Sequence, residues 1–171
     1  NDKVFRRHFD LNGTALMGNL ETETFAQVGD LQTHTTALAG GGHITVWYNH
    51  GFEASGGNSA GVLAQIFDPS GDALGVPFTL NADTTIAEYA PTVEALPGGG
   101  FVAAWTISSD GSSYGVRVAR FDSVGTLVGS EDLVNTFTNS VQQVPEIAVA
   151  DDGSFVVTYM SHQYDSVANL Y

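Results

Sequence analysis

The sequence predicts an all-β protein: a β-propeller of four-stranded repeats, three repeats per chain, with one blade split between the N- and C-termini. Three observations carry this. Twenty glycines among 171 residues, together with many Val, Thr and Phe, favour strands joined by tight turns. No window sustains apolar spacing at i, i+3, i+4 and i+7 over a helical length. Two separate markers recur with one changing period, as an internal repeat requires.

The first marker is an aromatic-aspartate pair with a turn glycine behind it: Phe9-Asp10-Leu11-Asn12-Gly13, Phe67-Asp68-Pro69-Ser70-Gly71 and Phe121-Asp122-Ser123-Val124-Gly125. The second is a turn that runs into an apolar strand ending in a large aromatic: Gly40 to Trp47, Gly98 to Trp105 and Asp152 to Tyr159. Both markers step by 58 and then by 54 residues.

The elements follow in chain order. Val4–Asp10 matches Val116–Asp122 and reads as the third strand of a unit, so residues 1–28 supply two strands of a blade. Residues 29–82 and 88–138 read as intact blades, with Val62–Phe67 a strand of the first. In the second, Gly115–Phe121 and Leu127–Val134 flank a turn at Asp122–Gly125. Residues 145–171 supply the first two strands of the split blade, Pro145–Ala150 and Phe155–Met160. Phe101–Trp105 has no polar alternate set, so it is expected to be covered on both faces, as inner propeller strands are. Three blades are too few to close a ring. Two chains are therefore expected to complete each other's split blades, giving six blades per dimer, with Val4, Arg6, Phe9, Tyr159 and Tyr171 at the interface. The other reading of the ends is a piece of a longer array, which the start at Asn1-Asp2-Lys3 also suits. A β-trefoil is the second three-copy fold.

Composition narrows function. Nineteen Asp+Glu against five Lys+Arg, net −14, argues against a nucleic-acid partner, because phosphate binding needs a basic surface. Without cysteine there are no disulfides, thiolate metal sites or cysteine nucleophiles. No apolar run is long enough to cross a bilayer as a helix, so membrane insertion is not expected. Gly57-Asn58-Ser59-Ala60-Gly61 fits the nucleophile-elbow pattern, but that motif works only between a strand and a helix, and here it precedes a strand. The histidines His8, His34, His43, His50 and His162 share no ligand spacing. The five basic residues Lys3, Arg6, Arg7, Arg117 and Arg120 all fall on or beside third strands, where pairing with neighbouring carboxylates is expected. Aromatics are candidates for sugar stacking, among them Tyr114; the expected ligand-binding residues are Tyr48, Asn49, His50, Glu53 and Tyr164.

The second copy reads Pro91-Thr92-Val93-Glu94-Ala95, then Gly99 to Trp105, then Asp110-Gly111-Ser112-Ser113-Tyr114-Gly115 into Arg120-Phe121-Asp122, then Val134-Asn135. This pattern resembles the tandem repeats of large secreted bacterial proteins of the RTX and adhesin kind. It covers nearly the whole chain and weakens in copy one, where Thr33 replaces the proline and His43 the phenylalanine. The resemblance implies a bacterial, extracellular or cell-surface location, no enzyme activity and a calcium-rich setting. Calcium needs six to eight oxygens, and Asp10, Asp68, Asp72 and Asp122 are the candidate ligands. The other reading of these aspartates is turn formation. The RTX nonapeptide and the EF-hand spacing are both absent. The expected function is a non-catalytic extracellular module for self-assembly or attachment, whose partner is itself, as a dimer, or the rest of a larger surface protein. The alternative is a lectin-like propeller that binds glycan.

Overall fold

The computed structural model describes residues 3–16, 20–24, 32–50 and 60–162. These residues hold strands and turns and no helix. The strands are β1 (Lys3–Arg6), β2 (Leu20–Thr24), β3 (Thr33–Ala37), β4 (His43–His50), β5 (Ala60–Phe67), β6 (Phe78–Thr79), β7 (Glu88–Ala95), β8 (Phe101–Ile107), β9 (Gly115–Phe121), β10 (Leu127–Leu133), β11 (Gln142–Val149) and β12 (Phe155–Ser161). They form a two-stranded sheet β1-β2, four-stranded sheets β3-β4-β5-β6 and β7-β8-β9-β10, and a two-stranded sheet β11-β12. Neighbouring strands are consecutive in sequence and antiparallel.

Turn chemistry sets the hairpins. Gly41, Gly99 and Gly153 hold φ of 89°, 91° and 83° at one repeat position, a region open to glycine at no steric penalty. The next residue, Gly42 or Gly100, is glycine for another reason. A Cβ there would lie 2.0 or 2.2 Å from the carbonyl oxygen of Phe67 or Phe121 on the third strand.

The sheets stack face to face in chain order. Ile44, Val46, Val62, Ala64 and Ile66 of the first four-stranded sheet pack on Val93, Phe101, Ala103, Trp105 and Ile107 of the second. The far face of the second sheet, at Val102 and Ala104, meets Ile147, with Val149, Phe155 and Val157 against it. At the other end Val4 of β1 packs on Trp47 and Leu63. Full burial of such Val, Ile and Phe side chains contributes roughly 1.5–3 kcal/mol each. β7 lies against β3, β4 and β5, and β11 against β7, β8 and β9, so the edge strands β3, β7 and β11 run side by side along one rim.

Several expectations meet this structure directly. β8 is buried at every residue, as its sequence predicts. β12 is not: half-buried Phe155, Val157 and Tyr159 alternate with exposed Val156, Thr158 and Met160, because only one face of it meets a sheet. The first strands begin earlier than the prolines suggest, at Glu88 and Gln142, because a bulge lets pairing continue past Pro91 and Pro145. Within one chain, β1-β2 and β11-β12 are separate sheets at opposite ends of the stack.

Candidate functional site

The bulges build a cleft. Ala90 and Val144 hold φ of 47° and 55° and lie 54 residues apart, each just before a proline and each at a break in strand register. Proline disfavours the right-handed helical region for the residue before it. It favours the extended region instead, so the left-handed conformation held here costs a non-glycine residue about 1–2 kcal/mol, and such strain collects at sites that use it. Both residues line a cavity of about 280 Å³, together with Tyr48, Tyr89, Thr106, Tyr114 and Gln143. The Val144 N–H donates to Thr106 Oγ1 at 3.0 Å, which ties the bulge of β11 to β8.

Three tyrosines form the wall. Tyr48 and Tyr89 meet edge to face with ring centroids 5.7 Å apart, and Tyr89 and Tyr114 meet at 6.3 Å. Burial pushes the Tyr89 phenol above its ordinary value, and Tyr114 and Glu88 add to this. Tyr114 is 39% exposed and reachable from solvent, whereas Tyr48, one of the expected ligand-binding residues, is 6% exposed and packed into the wall. Asn49 is buried and outside this lining. The side chains of His50, Glu53 and Tyr164 lie outside the described residues. Tyr89 was not anticipated, although its place directly before Ala90-Pro91 is a readable signal.

A buried amide frame supports the cleft. Asn135 Nδ2 donates to Asp110 Oδ2 at 2.8 Å, to the Phe137 carbonyl at 3.0 Å and to Gln142 Oε1 at 3.3 Å. Its Oδ1 accepts the Val116 N–H at 2.8 Å, as Asn81 Oδ1 accepts the Val62 N–H at 2.9 Å one repeat earlier. Glu88 holds the repeat position of Gln142, and both are buried.

The acidic turns use their carboxylates locally. Asp10 Oδ1 accepts the Asn12 and Thr14 N–H at 2.9 and 2.8 Å, Asp68 Oδ1 accepts that of Asp72 at 2.8 Å, and Asp122 Oδ1 accepts those of Val124 and Thr126 at 3.0 and 2.8 Å. The Thr126 N–H bond leads in holding Asp122 below the usual carboxylate range. Among the described residues no three His, Cys, Asp or Glu are placed to hold a metal ion. The Oδ1 atoms of Asp10, Asp68 and Asp122 are thus engaged within their own turns, as the turn-forming reading of these aspartates expects.

Of the expected interface residues, Val4 is buried within its own chain, Phe9 is 56% exposed and Tyr159 is half-buried. The Arg6 guanidinium sits 3.7 Å from the centroid of Phe67. Tyr171 lies outside the described residues. Arg117 pairs with Glu131, a carboxylate of the next strand, at 2.6 Å. The elbow-like serine, Ser59, is also outside the described residues, and its last two positions, Ala60 and Gly61, open β5.

No protein-family profile and no curated protein matches the chain. Solved structures do. An endo-arabinase from Bacteroides thetaiotaomicron VPI-5482 is similar over 76% of this chain and 50% of its own, at 15% identity and a TM-score of 0.50. A thermostable family-43 glycoside hydrolase is similar over 94% of this chain and 62% of its own, at 13% identity and a TM-score of 0.54. The chain thus spans between half and about three-fifths of these structures. At such identity the likeness is one of fold, and with the stacked four-stranded sheets it supports a β-propeller. It also overturns the expectation of a non-catalytic adhesion module, because the similar structures are an endo-arabinase and a glycoside hydrolase. Repetition and absent motifs are no sign of missing chemistry.

Proposed function

We propose that this chain is part of a carbohydrate-processing propeller, with the Tyr48–Tyr89–Tyr114 cleft as a sugar subsite. The carrying observation is this cleft, walled by three tyrosines and strained at Ala90 and Val144. Tyrosine offers an apolar face for a sugar ring and a hydroxyl for its oxygens. The likeness to an endo-arabinase and a glycoside hydrolase supports the substrate class. The two four-stranded sheets are read as successive blades, with β3, β7 and β11 along the axis. An extracellular setting belongs to the same proposal.

Glycoside cleavage needs two carboxylates across the scissile bond, one as acid and one as base or nucleophile. Among the described residues none lines the tyrosine cleft. On the axial strands β7 and β11 the carboxylates besides buried Glu88 are Glu94, which accepts from Thr36 Oγ1 at 3.1 Å, and Glu146, which is exposed. They are the pair to test. Purified chain is incubated with arabinan and a panel of other polysaccharides while reducing ends and binding are measured. The reading expects binding that Tyr114→Ala weakens about tenfold, corresponding to about 1.4 kcal/mol, and hydrolysis that Glu94→Gln or Glu146→Gln removes. Absence of both binding and hydrolysis across the panel would sink it.

A further inference from the structure

We propose that the edge of β12 that has no neighbouring strand among the described residues accepts β1 of a second copy of this chain, in an antiparallel register that runs from Phe155 opposite Phe9 to Ser161 opposite Lys3. The register comes from the two complete sheets. His43 lies opposite Phe67, and Phe101 opposite Phe121. Phe155 and Phe9 hold the same two repeat positions, stepped by the same 58 and 54 residues. In both complete sheets that pair is stacked, with centroids 4.7 and 5.0 Å apart and ring planes within 15°. In one chain the third pair is divided between sheets at opposite ends of the stack.

Burial points the same way. Val156 is 56% exposed and Met160 53%. Their repeat equivalents are Ile44 and Val102, both 0% exposed, and Tyr48 and Thr106, at 6% and 3%. β1 stops at Arg6, while β5 and β9, which have a second strand beside them, run on to Phe67 and Phe121. Between β1 and the first four-stranded sheet lies a cavity of about 560 Å³, lined among others by Arg6, His8, Thr35, His43 and Thr45. Thr35, His43 and Thr45 correspond to Val93, Phe101 and Ala103, which are fully covered by the preceding sheet. The cavity is thus where a blade's first two strands belong.

Charge and polar groups select a second copy as the occupant. Lys3, Arg6 and Arg7 lie on or beside β1, whereas the β11-β12 hairpin carries Glu146, Asp151 and Asp152 and no basic residue. Arg6 Nε and Nη1 are buried without a hydrogen-bond partner among the described residues. In the proposed register Arg6 faces Thr158, whose neighbour on β11 is Glu146. If two copies exchange in both directions, the contacts close on a two-fold axis.

One position resists. Ser154 stands where Gly42 and Gly100 leave room for a third-strand carbonyl. The junction is therefore looser than its two templates, and Ser154→Gly should tighten it.

The chain has no cysteine, so engineered pairs read the register directly. The test oxidises His8→Cys with Val156→Cys, and as a control His8→Cys with Val157→Cys, whose side chain faces the second four-stranded sheet. Light scattering on the unmodified protein gives the mass, and circular dichroism checks that the variants are folded. The expected results are twice the mass of one chain, a covalent dimer for the first pair only, and at least threefold tighter association for Ser154→Gly. A monomer at tens of micromolar, a crosslink within one chain, a ladder beyond the dimer, equal crosslinking in the control, or no gain from Ser154→Gly each overturns the proposal.

Discussion

His43 stands where the other copies carry Phe101 and Phe155, and it keeps the ring stack on Phe67 while adding a proton site. Burial, then His8, then Arg6 depress it from 6.5 to about 4. As pH falls the unfolded chain takes up this proton first, so stability is complete above about 6.5 and lost between there and about 4. His43→Phe is expected to restore the stack of the other copies and flatten that slope, read as urea midpoints at pH 7 and pH 5. An unchanged slope would place the titration elsewhere. Asn135→Ala is expected to destabilise by about 1–3 kcal/mol, because it strands the buried Val116 N–H. The aromatic place of His43 was legible from the repeat alone. Its depressed titration was not, since His8 reaches it from just beyond β1, outside any local spacing.

At the scale of the strand, Gly100 joins positive φ to a close backbone approach. A Cβ there meets the Phe121 carbonyl, so Gly100→Ala is expected to destabilise by more than about 3 kcal/mol, measured by thermal melting. Val144 has the opposite character. It is 44% exposed and branched at Cβ, yet holds φ of 55°. Val144→Gly relieves that strain and should raise stability by about 0.5–1 kcal/mol while loosening the tyrosine cleft. A loss of stability would show that the bulge is held by packing rather than tolerated against strain. Strand type and order were legible because apolar runs and turn residues alternate on a fixed period. The early starts of β7 and β11 were not, because a proline reads as a boundary until the bulge around it is seen. The cleft was half legible. Tyr48 and Tyr114 stand out as aromatics, but they meet only through Tyr89, and that meeting depends on how two sheets are stacked.

Across the molecule, the main contacts among the described residues join layers that are neighbours in sequence, so stability should be graded along the stack. Amide hydrogen exchange is expected to be slowest in β8, intermediate in β4 and β9, and fastest in β1 and on the outer edge of β12; a uniform profile would mean that the layers unfold as one unit. The layered order could be read from the two markers, whose equal steps leave little other topology. The enzyme-like company of the fold could not, since a reaction depends on a few side chains whose spacing is set in three dimensions. The shared rim of β3, β7 and β11 has a practical corollary. Gln142 occupies the place of Glu88, so excising residues 88–141 would join Ala87 to a strand with the same phase, the same inward face and the same proline three positions on. The period thus acts as a cassette, and chain length can change by whole cassettes without any surviving strand having to re-register.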